Sequence, residues 1–196
     1  REAFVEASWF SGGNEKRLRG GISGSINEKL RGSLNVAWAD YDGNVTNVAN
    51  GKKRNGYDHE GLRGKLEYTP NTDVKLTVIG DYSEGNDTTV QGVVSSLNTV
   101  SYPTGAVSTN TAFGKALWPV VPSAENREVS NNVDTRAEER NYGLSAQLDW
   151  KLSGGLTLTS VTAWRGWTNT QYQDLDRLSA PTATLPQQDD KGDLDF

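Results

Sequence analysis

The segment Tyr142-Gly-Leu-Ser-Ala-Gln-Leu-Asp-Trp150 places large apolar or aromatic side chains at Tyr142, Leu144, Leu148 and Trp150, with Gly143, Ser145, Gln147 and Asp149 between them. Successive side chains of a β-strand project to opposite faces, so this period-two pattern specifies a strand with one apolar and one polar face. A helix would scatter both sets around its circumference. An apolar set closed by an aromatic ring at each end suits a face that crosses hydrocarbon between two water interfaces.

The same pattern recurs along the chain. Alternation and turn punctuation predict seven strands, at about 2–10, 15–26, 29–41, 60–69, 73–83, 138–151 and 156–168. Tight turns are expected at Asn27-Glu28, Pro70-Asn-Thr72 and Ser153-Gly-Gly155. The other connections are Ser11 to Asn14, Asp42 to His59 and a long loop over about 84–137, and a polar tract follows Thr168. Short and generally longer connections therefore alternate. That puts tight turns at one end of an antiparallel up-and-down meander and large loops at the other, as in bacterial outer-membrane barrels. The expected fold is all-β, with residues 1–196 forming one partial transmembrane β-barrel domain.

From the second strand onward the apolar set falls mainly on even numbers, including Leu18, Ile22, Leu34, Trp38, Leu66, Tyr68, Val78, Tyr82, Leu144, Leu148 and Trp164. Arg17, Arg19, Arg31, Arg63, Lys65, Asp81 and Asp149 occupy odd positions and are expected to face a polar lumen. Trp38, Tyr82, Tyr142 and Trp164 then mark one aromatic belt, and Tyr68 and Trp150 the other. The strand path from Tyr142 to Trp150 is about 26 Å, or ~20 Å vertically at a tilt of about 40°, close to the apolar band of such barrels. The competing reading is a soluble sheet whose even face packs on a protein core. Trp and Tyr gathered at strand ends, opposite a face rich in arginine, speak against it.

Composition narrows the rest. Only 34% of the 196 residues are hydrophobic and mean hydropathy is −0.66. No run approaches the roughly 18–20 apolar residues of a membrane-spanning helix, so any membrane role must use strands. The formal charge of −5, without a long basic block, argues against a nucleic-acid partner. Cysteine is absent, which excludes disulfides, thiolate metal sites and a cysteine nucleophile. The chain begins at Arg1 within a predicted strand, and the expectation is a piece of a longer, processed protein.

EKRLRGGISGSINEKLRGSLNVAWADYDGNV (Glu15 to Val45), NGYDHEGLRGKLEYTPNTDVKLTVIGDYSE (Asn55 to Glu84) and NYGLSAQLDWKLSGGLTLTSVTAWRGW (Asn141 to Trp167) resemble successive barrel strands of a TonB-dependent outer-membrane receptor. The resemblance covers about two-thirds of the chain. It implies a 22-stranded barrel filled by a plug domain, set in the lipid of the bacterial outer membrane and energised through an inner-membrane TonB complex. Its cargo would be a scarce small-molecule ligand such as a siderophore-iron complex, cobalamin or a glycan. The plug and its TonB-contacting segment lie outside this sequence. A passive diffusion porin shares every strand-level feature, and a soluble β-rich binding or adhesion module is the third reading.

No enzyme, cofactor or resident metal is expected. His59, the sole histidine, follows a polar loop and lacks a nucleophile-elbow motif. Asp189, Asp190, Asp193 and Asp195 offer hard oxygen ligands without the ordered spacing of a calcium loop, and are expected in a solvated loop. The long loop carries Tyr102, Phe113 and Trp118 among hydroxyl and amide side chains, which are candidate ligand contacts because loops of this length are commonly functional.

Overall fold

The computed structural model describes residues 1–88, 92–97, 100–101, 107–108, 115–174, 178 and 188–195. The chain is all-β. Eight strands form one antiparallel sheet in the order β1 (Glu2–Phe10), β2 (Glu15–Ser25), β3 (Leu30–Tyr41), β6 (Tyr57–Tyr68), β7 (Val74–Asp87), β11 (Arg136–Lys151), β12 (Thr157–Gln173) and β13 (Gln188–Asp195). The remaining strands are short and belong to the loops. β4 (Val45–Asn47), β5 (Lys53–Arg54) and β10 (Glu128–Val129) make a three-stranded sheet, and β8 (Val100–Ser101) pairs with β9 (Val107–Ser108). Among the described residues the large sheet is open, with β1 and β13 at its edges.

Three tight turns follow from their residues. The Asn27 side chain accepts the Lys29 amide (2.9 Å) while the Ile26 amide donates to the Leu30 carbonyl (2.8 Å). Asn71 accepts the amides of Asp73 and Val74, both at 2.9 Å. Gly154 and Gly155 take φ of 80° and 79° in the Ser153–Gly155 turn, a conformation that costs glycine little. Asparagine folds the chain by mimicking a backbone acceptor, as in Asx turns.

Register keeps the two faces separate from strand to strand. Leu18↔Trp38 and Ile22↔Leu34 join β2 to β3, Leu66↔Val78 joins β6 to β7, Tyr82↔Tyr142 joins β7 to β11, and Leu144↔Trp164 joins β11 to β12. On β1 the parity reverses, because Ala7 pairs with Leu18 and Glu6 with Arg19. Val5 and Trp9 consequently continue the apolar face. Tyr142 tilts against Trp164, with ring centroids 5.4 Å apart. It also lies over Gly166, where a Cβ would meet the ring at 2.5 Å. Glycine opposite an aromatic lets the ring lie flat on the sheet.

The sheet carries no core of its own. The buried hydrophobic residues among those described are Val45, Leu117, Val120 and Leu178, all outside the eight strands. On the apolar face Ile22 and Leu144 are each 56% exposed and Trp164 is 51% exposed. About fifteen large side chains share that condition, and each fully buried one contributes ~1.5–3 kcal/mol. Leaving this face in water would forfeit on the order of 10–20 kcal/mol, as much as the entire net stability of a typical domain.

The seven expected strands form at their places, the first three within one residue of the expected bounds and the last four with longer ends. β6 begins at Tyr57, β7 runs to Asp87, β11 starts at Arg136 and β12 reaches Gln173. The loop expected over 84–137 therefore loses residues at both ends to the ladder and holds short strands of its own. Gln188–Asp195, expected as a solvated loop around Asp189, Asp190, Asp193 and Asp195, instead pairs with β12 as an eighth strand, Tyr172 opposite Asp189 and Gly166 opposite Asp195. Backbone pairing follows the open edge that β12 offers, and it does not require an apolar side-chain pattern.

Candidate functional site

Register places Arg17, Arg19, Arg31, Arg63, Lys65, Asp81 and Asp149 on one face of the sheet. At its middle Arg63, Asp81, Gly143 and Arg165 lie in one cross-strand row. The missing side chain at Gly143 leaves room for Arg165 to cross β11 and donate to both Asp81 oxygens, at 3.0 and 2.8 Å. Arg63 approaches the same carboxylate at 3.6 Å. One acid thus serves two guanidiniums.

Towards the tight turns, Lys65 and Lys75 pair with Glu67 at 2.5 and 3.7 Å. Arg31, Lys65 and Glu67 line a hollow of about 360 Å³ with Arg1, Glu2 and three serines. Asp149 accepts from Thr159 (2.8 Å) and Gln147 (2.9 Å). Arg19 pairs with Glu6, and Arg17 with Glu15.

At the large-loop end the same face carries an aromatic and ionic cluster that sequence reasoning did not single out. Tyr41, Tyr57 and Asp87 stand opposite one another across β3, β6 and β7, and Phe10 stands opposite Glu15 across β1 and β2. Tyr57 stacks on His59 at 4.6 Å and 19°, and meets Tyr41 at 5.4 Å. The Tyr57 hydroxyl donates to Glu15 (2.5 Å), and His59 Nε2 lies 2.7 Å from Asp87 Oδ1. The signal was present in the odd numbering of Tyr41, Tyr57 and His59, on the face otherwise filled with charge. A search for apolar alternation passes over such residues.

Above that end, β4, β5 and β10 knit the loops into a cap. Asn47 is fully buried. Its Nδ2 donates to the Asn131 carbonyl (2.8 Å), and its Oδ1 accepts the amides of Asn131 and Ala49, both at 3.1 Å. The amides of Thr46 and Val48 reach the carbonyls of Arg127 and Val129, each at 2.8 Å. Leu117 and Val120 are buried, whereas Trp118 between them is 75% exposed. Tyr102 and Phe113 lie outside the described residues.

Asp134 closes the cap. It accepts from Lys52 Nζ at 2.6 Å and from the buried Arg54. The Lys52 and then the Arg54 hydrogen bonds hold its carboxyl below the usual carboxylate range. A depressed folded-state pKa stabilises above the ordinary carboxylate value and loses that contribution as pH falls through the folded one. Amide exchange in β4 and β5 is therefore expected to accelerate as pH drops below about 4, after correction for intrinsic rates. Asp134→Asn should abolish the acid-dependent part while leaving exchange in β11 unchanged.

None of the described side chains form a group of three or more histidines or acids able to hold a metal ion. No described helix is long and apolar enough to cross a membrane, which says nothing of crossing by strands. No family model matches this chain, and no curated protein matches it.

Proposed function

We propose that this chain forms part of the barrel wall of a bacterial outer-membrane, TonB-dependent receptor that imports a scarce small-molecule ligand. One observation carries the reading: an antiparallel sheet with a half-exposed apolar face, bounded by aromatic residues at two levels, while the buried apolar residues among those described sit in the loops. Lipid is the solvent that such a face fits, and the charged opposite face fits a water-filled or plugged interior. The folded cap at the large-loop end is where an external ligand would first be met, with the exposed Trp118 as a contact and Tyr102 and Phe113 preceding it in the same loop. The TonB complex and plug enter through the resemblance described above.

The deciding experiment is uptake by cells carrying the intact protein, with ferric siderophores, cobalamin and oligosaccharides as cargo. Collapse of the inner-membrane proton gradient should abolish uptake; uptake that persists identifies a diffusion porin, and a protein that stays in aqueous solution without detergent identifies the soluble module. Deleting residues 98–114, which spares the buried Leu117 and Val120, is expected to weaken cargo binding at least tenfold while barrel insertion continues. Unchanged affinity after this deletion would leave the loop as a spacer.

A further inference from the structure

We propose that the middle of the polar face is a binding site for inorganic phosphate. This goes beyond the transport reading, since it depends on the side chains of one cross-strand row and not on which solute crosses the membrane. The row runs Asn35, Arg63, Asp81, Gly143 and Arg165 across β3, β6, β7, β11 and β12. Asn35, Arg63, Asp81 and Arg165 line a hollow of about 440 Å³ together with Arg19 and Ser83. Ala37 and Gly61 face each other in the adjacent row on the large-loop side and place no long side chain over it.

The charges of the row do not balance. Arg63 and Arg165 share the one carboxylate of Asp81, whereas Arg19 is matched by Glu6 and Lys65 by Glu67, each at 2.5 Å. One positive charge is left over at Arg63. Its guanidinium stands 3.6 Å from Asp81, beyond hydrogen-bond length, and donates no hydrogen bond among the described residues. The polar-face carboxylates of Glu2 and Glu139, which no described cation pairs with, lie three and two strands away, at least about 9 Å, where salt screens exposed charges. A free planar fork of N–H donors suits the paired oxygens of an oxyanion. Asn35 stands directly opposite Arg63 and Ser83 lies on its diagonal, at Cβ separations of roughly 5 Å and roughly 7–8 Å, so both can donate to the further oxygens of a tetrahedral anion. A carboxylate would leave them unused. Each Asp81 oxygen accepts from Arg165 Nη2 and keeps a second lone pair. Hydrogen phosphate carries a proton to donate there, and sulfate carries none. Asp81 thereby selects phosphate over sulfate.

The test is titration calorimetry of the intact protein in detergent micelles at pH 7, with inorganic phosphate, sulfate and acetate as probes. Phosphate is expected to bind at least about tenfold more tightly than either of the others. Arg63→Gln should weaken phosphate binding tenfold or more, and Asn35→Ala about threefold or more, whereas Arg17→Gln at the large-loop end should leave it within about threefold. Asp81→Asn removes the carboxylate that excludes sulfate, so phosphate and sulfate affinities should converge to within about threefold, an effect that a purely structural ion pair would not produce. Absence of phosphate binding, or binding indifferent to both Arg63→Gln and Asn35→Ala, overturns the site. Sulfate bound as tightly as phosphate by the unaltered protein overturns the assignment to phosphate.

Discussion

Replacing Leu148 with arginine is expected to destabilise the protein in lipid by about 2–4 kcal/mol, whereas the same replacement at the adjacent Gln147 should cost less than about 1 kcal/mol. Leu148 pairs with Leu76 on the apolar face, between the row of Leu144 and the belt residue Trp150. A guanidinium there must desolvate or pull water into the hydrocarbon. Gln147 lies on the polar face, where its amide donates to Asp149 at 2.9 Å, and an arginine at that place meets a carboxylate. Denaturant titration of the intact protein refolded into vesicles measures both. Equal losses would contradict the assignment of the two faces, since a soluble sheet covered on both sides has no reason to distinguish these neighbours by solvent.

Gly43→Ala should open the cap, with a cost of roughly 3 kcal/mol or more, while Gly51→Ala should cost about 1 kcal/mol. Both glycines have positive φ, 101° and 72° respectively. They differ in the space around them. A Cβ at Gly43 would lie 2.1 Å from the Arg54 carbonyl oxygen, a backbone atom that cannot move without pulling β5 away from β4. Nothing lies within 4 Å of the same atom at Gly51. Limited proteolysis between β4 and β5 reads the difference: rapid cleavage is expected for Gly43→Ala only, with β11 and β12 remaining protected. Similar cleavage of both variants would mean that left-handed strain alone limits the cap.

Arg54 shows how far a linear reading reaches. Alternation identifies it as a loop residue, yet its side chain is buried and paired with Asp134, eighty positions along the chain. Asn47 is similar, because its partner Asn131 is 84 positions away. No local pattern announces either pair. The cluster around Tyr57 falls between these cases. Parity assigns its members to the polar face, but their convergence depends on Tyr41, Tyr57 and Asp87 standing in one row. Asp189 and its neighbours make the opposite point, since polar side chains suggested a loop and the free edge of β12 recruited a strand.

Period-two alternation by itself determined which side chains share a face, because the pleat leaves each residue only two directions. The Asn and Gly turns determined which strands are neighbours wherever the connection is short. The offset between strands joined by long connections, the crossing of Gly143 by Arg165 and the construction of the cap were decided only in the tertiary structure. Those features depend on contacts between residues far apart in the chain, whose energies exist only once the backbone has brought the partners within a few ångströms.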